Sequence, residues 1–291
     1  MERELELPEG SLVFSKKSEG YELTRCIGNF AELIVPEDPW GDGKVTGVSK
    51  KVFLGKRTIR KLVLPQTVKR IGDYCFAGCG SLSAVSLPVC EIGEGIFRGC
   101  VSLETVSFPG RSEDLGRLLA CAIRNECPSH LTDVRSIDEG WFKLFDSWVG
   151  KLLAEADDEG FQNQILCGEE DYGSCDKDAY EQRARVRKAF LCISRLINDE
   201  GLADPFREKF SDYLRRHKMG SEEGSETWIA LKEHFPDRKH FDLLESLGCI
   251  DDDNRDMMIR DLGDDRQELK SLLIKSSGND AGVRFFSSLE L

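Results

Sequence analysis

The chain has 291 residues, 40% hydrophobic and 32% charged, with 40 Lys+Arg against 53 Asp+Glu for a net charge of −13. This balance argues against wholesale disorder, and no stretch reaches the roughly 20 apolar residues that a membrane helix needs. Eleven cysteines, an odd count scattered along the chain, point to reduced thiols rather than a full disulfide framework.

The charge is unevenly placed. Residues 1–110 hold 14 basic and 14 acidic residues, whereas residues 111–291 hold 26 and 39 and therefore all of the net charge. Such asymmetry predicts two domains, 1–110 and 111–291. The leading MERELELPEGSLVF has acids where an export signal needs bases, which sets the expectation of a cytoplasmic protein. Within residues 1–24, Leu12–Phe14 and Tyr21–Leu23 read as two short strands.

From about residue 28 the chain is periodic. Phe30 to Pro36 is a strand arm, followed by an insertion at Glu37–Gly43, then Val45–Val48 and Val52-Phe53. Leu62-Val63-Leu64-Pro65, Val85-Ser86-Leu87-Pro88 and Val106-Ser107-Phe108-Pro109 repeat the arm. A second arm recurs in step, from Ile71-Gly72 to Phe76 and Cys79 and from Ile92-Gly93 to Phe97 and Cys100. Self-similarity at this period predicts a solenoid of about four repeats, each burying its apolar face against its neighbours. Strand alternation turns Leu82, Val85 and Leu87 inward and Ala84 and Ser86 outward.

These residues resemble the BspA-type leucine-rich repeats of bacterial proteins, with pattern L-x-x-[IV]-x-[IL]-P-x-x-V-x-x-I-G-x-x-A-F-x-x-C, over about 28–110. Cys75 and Ile96 replace the Ala before Phe, and the third repeat is short around Val89–Glu91. The resemblance implies a curved right-handed solenoid with a parallel sheet on its concave face, used for protein or surface recognition.

From Ser112 the period turns helical. A helix runs to about Asn125 with Leu115, Leu118, Leu119, Ala122 and Ile123 on one face, placed to cover the open end of the last repeat. Trp141–Ala154 is apolar on more than one face and reads as a central packed helix. Residues 156–177 read as a loop with a short helical piece. Tyr180–Asn198 is a helix with Val186, Phe190, Ile193 and Ile197 inward. Asp204-Pro205 caps and starts another, with Phe206, Phe210, Tyr213 and Leu214 inward. Helix pairs at Thr227–Leu247 and Asp253–Lys275 give an ankyrin-like pattern near 225–276. The fold class is α+β, a short solenoid followed by an all-helical domain.

Candidates for chemistry meet simpler readings. Cys75 and Cys79 lack a second ligand pair and follow the repeat, and His234 and His240 lack a carboxylate motif. The acidic run Asp251–Asp256 fails the calcium-loop pattern in either register and reads as helix capping. The sequence thus predicts no catalysis, metal or cofactor. Between Asp42 and Asp73, however, stand nine bases and no acid. Of these, Lys50, Lys51, Lys56, Arg57, Arg60, Lys69 and Arg70 form a candidate basic stripe.

The expected function is protein–protein recognition by the concave sheet through its outward residues Lys61, Val63, Ala84, Ser86, Thr105 and Ser107. The partner is a protein of unknown identity, nucleic acid fits least, and no membrane is involved. The alternative is a structural, self-assembling protein whose acidic helical domain packs on the basic stripe.

Overall fold

The computed structural model describes residues 2–124, 127–128, 131, 139–161, 176–235, 237–263 and 266–276. They divide into two compact units, cut between Phe145 and Asp146. This cut lies beyond the change of period at 110/111, because the first helix seats on the last repeat strand.

The first unit opens with an antiparallel meander, β1 (Glu2–Leu7), β2 (Gly10–Lys17) and β3 (Gly20–Gly28). Two short strands were expected here, but three long ones form. The sequence ERELEL alternates exposed and half-buried residues, which suits an outer strand with one wet face. Gly20, at φ +138, lets the β2–β3 turn press against the next coil, where a Cβ would lie 2.2 Å from the Lys44 carbonyl. The meander continues as a parallel sheet through β5 (Val45–Val48), β7 (Arg70–Ile71) and β9 (Glu91–Ile92), giving the order β1-β2-β3-β5-β7-β9.

The strand arms build a second, wholly parallel sheet from β4 (Glu32–Ile34), β6 (Lys61–Val63), β8 (Ala84–Ser86) and β10 (Thr105–Ser107). Leu33, Leu62, Val85 and Val106 turn into the core from this sheet, and Val48 and Ile71 from the other. Phe53, Phe76 and Phe97 fill the third side, with ring centroids 5.6 and 5.4 Å apart along the stack. The insertion after β4 brings Trp40 onto Phe14 and Tyr21, at 5.5 and 5.0 Å between centroids. It thus packs on the meander rather than standing apart.

Helix α1 (Glu113–Arg124) starts where Ser112 Oγ accepts the Leu115 amide at 3.2 Å. Its apolar residues Leu115, Leu118, Leu119, Ala122 and Ile123 are buried as the spacing predicts. Gly116 allows the approach, since a Cβ there would sit 2.5 Å from the Val106 carbonyl of β10. Helix α2 (Glu139–Leu152) begins in this unit, where Trp141 stacks on Phe145 and donates its indole N–H to Leu131 O at 3.1 Å.

The second unit continues through α3 (Lys177–Ile197), α4 (Asp204–Arg216), α5 (Glu226–His234), α6 (Arg238–Ser246), α7 (Asp252–Leu262) and α8 (Gln267–Ser276). The segment expected as a loop with a short helical piece lies largely outside the described residues. Helix α3 differs from the single apolar face expected of it. Every residue from Lys188 to Leu196 is buried, so the second half of α3 is enclosed on all sides, while Val186 and Ile197 are half-buried. Helix α4 is not capped by Asp204, because Ala203 is its N-cap without a side-chain bond and Asp204 lies within the first turn. Phe210, Tyr213 and Leu214 are buried there, and Phe206 half-buried. At α7 the capping reading holds. Asp251 accepts the Asp253 and Asn254 amides at 3.1 Å, and Asn254 accepts the Asp251 amide at 3.0 Å.

Candidate functional site

Parallel pairing without register shifts lines the outward residues of the four-stranded sheet into two rows. One row is Glu32, Lys61, Ala84, Thr105, and the other is Ile34, Val63, Ser86, Ser107. All six residues singled out from the sequence stand on this face, in adjacent strands about 4.8 Å apart. The face is graded. At the β4–β6 end Glu32 and Lys61 pair at 3.1 Å, beside Ile34 (72% exposed) and Val63 (37%). At the β8–β10 end the positions are small, Ala84 beside the hydroxyls of Ser86, Thr105 and Ser107, and Thr105 Oγ1 lies near Gly116 of α1.

Glu32 and Ile34 were missed as site residues. The alternation that places Lys61 and Val63 outward would have placed them too, had it been applied to the first arm. Ile34 is the bulkiest apolar side chain on the face, and its exposure costs solvation unless something covers it.

The bases between Asp42 and Asp73 are not gathered on one sheet. Lys61 is on β6 in the four-stranded sheet, whereas Arg70 is on β7 in the six-stranded one. Lys50, Lys51 and Arg57 are exposed on the turns between the sheets, and Arg60 is exposed just before β6. Lys56 donates to Gly28 O at 2.9 Å, and Lys69 pairs with Glu19 at 2.9 Å. A run dense in sequence is thus distributed around the coil, because a solenoid turns successive residues to different sides.

The cysteines act as packing. Cys79 Sγ donates to Phe53 O at 3.0 Å and Cys100 Sγ to Phe76 O at 3.2 Å, each reaching the preceding coil. Burial pushes the Cys79 thiol up to about 11 and that of Cys100 up to about 12. Burial raises Cys75 further still. Such thiols stay protonated and poorly nucleophilic. His234 packs edge-on to Phe190, and His240 stacks on Phe235 while its Nδ1 hydrogen-bonds to Asp237 at 2.8 Å. Among the described residues no group of three or more His, Cys, Asp or Glu is placed to hold a metal ion.

A family model described as BspA type leucine rich repeat region matches residues 46–143 in six copies. Over the matched residues the coils are similar to BspA-type leucine-rich repeats. No curated protein matches the chain. Two solved structures are similar to part of it. One is a leucine rich repeat protein of T. pallidum (TpLRR), 28% identical over 37% of this chain and 50% of that one, with TM-score 0.32. The other is a leucine rich cell surface protein from Faecalibacterium prausnitzii A2-165, 23% identical over 36% of this chain and 30% of that one, with TM-score 0.31. The chain therefore spans half the length of the first and less than a third of the second. No helix among the described residues is long and apolar enough to cross a membrane.

Proposed function

We propose that this protein recognises another protein through the outward face of the four-stranded sheet. The observation that carries the reading is the graded double row itself. The inward positions are consumed by the core, and the outward ones present an apolar ledge, an ion pair and a run of small residues, three of them hydroxylated, to solvent. Small residues let a partner backbone approach closely, and the Ile34–Val63 ledge offers apolar area to bury. No catalytic group belongs to this reading. We take residues 1–110 as the recognition domain and 111–291 as a helical domain with ankyrin-like pairs, in a cytoplasmic setting. The nine described cysteines, all free thiols, support that setting. The test is affinity capture of partners by wild type and by the Ser86→Glu, Ser107→Glu variant. The variant is expected to lose the partner, and equal recovery by both proteins refutes the reading.

The charge asymmetry favours a second reading, in which the protein assembles with itself through the acidic residues of 111–291 and the exposed Lys50, Lys51, Arg57 and Arg60 of another copy. Light scattering at several concentrations decides it. Mass rising with concentration and falling with salt supports self-assembly, and a strict monomer removes it.

A further inference from the structure

An open groove of about 570 Å³ lies at the first coil, formed by the β2–β3 turn, the end of the insertion loop and the corner before β7. Its charged lining is Lys16, Lys17, Lys44 and Lys69 against Glu19 and Asp42, so four ammonium groups meet two carboxylates. The lysines come from three separate stretches of sequence and converge only in the fold. None of the lining side chains is aliphatic or aromatic; the neutral ones are Ser18, Thr46, Gln66 and Thr67, with two glycines. A groove of this size and chemistry does not suit an apolar ligand.

Each of the four lysines has a carboxylate partner, but all four ammonium groups lie exposed, where such pairs are weak and open to exchange. Asp42 is engaged by Arg3 Nη1 at 2.9 Å and by Tyr21 OH at 3.0 Å, and Lys16 reaches it only at 3.4 Å. Glu19 and Lys69 are each 69% exposed, and an ion pair that open is worth about 0–1 kcal/mol, so an incoming anion can displace Glu19. Lys44 and Lys17 pair with Glu37 and Glu22, which do not line the groove. Thr67 on the wall is held in place where its Oγ1 donates to Val45 O at 2.7 Å.

We propose that this groove binds a small hydroxylated molecule carrying a phosphate or sulfate ester. Lys16 and Lys69 hold the oxyanion, and Thr46 and Gln66 hydrogen-bond to the hydroxyls of the scaffold. The volume exceeds that of a bare oxyanion, and hydroxyl and amide side chains are what a sugar-like scaffold requires. The site is separate from the sheet face proposed for protein recognition and stands or falls independently of it.

The test is calorimetric titration of the full chain at constant ionic strength with glucose 6-phosphate and, separately, glucose 6-sulfate. The expected result is saturable one-site binding by at least one of them. It should weaken tenfold or more in Lys16→Gln, Lys69→Gln and stay unchanged in Lys50→Gln, Lys51→Gln. The stronger probe assigns the ester. These lysines are exposed, so circular dichroism should match wild type. Absence of saturable binding by either probe overturns the proposal. Equal weakening in both double variants also overturns it, since that reports general surface charge rather than the groove.

Discussion

The repeat coils and the helical unit solve the same burial problem with different chemistry. In the coils one apolar contact is copied along the stack, with phenylalanine on phenylalanine and each of Cys79 and Cys100 bonding to the coil before it. In the helical unit the interior admits charge. Arg195 is fully buried and grips Asp146, itself 2% exposed, at 2.6 and 3.1 Å. The same guanidinium also donates to the Asn198 and Glu200 carbonyls beyond the end of α3. Lys188 and Glu226 are buried too, the first on Asp157 at 2.8 Å and the second on Arg185 at 2.9 Å. A repeated apolar stack tolerates gradual change, whereas a buried ion pair binds two particular helices and fails if either partner is lost.

The comparison is broken most forcefully at Arg195. Arg195→Ala leaves the buried Asp146 carboxyl without its partner, and denaturant unfolding should show a loss of about 3–5 kcal/mol. Burial raises the Asp146 carboxyl above its usual range, with Arg195 opposing that rise. A raised carboxyl opposes folding once ionised, so its contribution declines as pH climbs through the folded value. The apolar pair Asp146→Leu, Arg195→Met should therefore recover most of the loss at neutral pH.

A smaller effect is expected in the coils. Phe76→Leu keeps apolar bulk but removes two ring stacks, costing about 2 kcal/mol in the same measurement. Asp251→Ala at the start of α7 should cost about 1 kcal/mol. Burial tends to raise the Asp251 carboxyl, but its bonds to Lys218 at 2.6 Å and to the helix amides outweigh this and hold it below the usual range. The unfolded chain binds that proton more readily, so the contribution is present above the unfolded pKa, near 4, and fades as pH falls through the folded one. The Asp251→Ala variant should lack this part of the acid transition.

The contrast also explains what could be read in advance. The strand arms, the Phe76–Phe97 stack and the core cysteines were legible because a period of about two dozen residues repeats them. The outward site positions followed from the two-residue alternation, which holds equally for Glu32 and Ile34 on the first arm. The packing of Trp40 on the meander was not legible, since the insertion follows no repeat. Nor was the enclosure of Lys188–Leu196 in α3, because the charged Lys188 and Arg195 gain their partners, in the Asp157 turn and α2, only through the fold. The basic run misled in a third way, since closeness in sequence is not closeness on a coil.

The central claim is that function resides in what the repeat leaves free on the four-stranded sheet. The most direct measurement places a photo-crosslinking amino acid at Ser86, at Ser107 and, as a reference, at Lys50, and identifies the adducts by mass spectrometry. Ser107 and Lys50 are exposed, so substitution there should change stability by less than about 0.5 kcal/mol, and half-buried Ser86 is checked by denaturant unfolding before capture. The account predicts one protein partner captured from Ser86 and Ser107 and not from Lys50. Capture of that partner from Lys50 alone would contradict it.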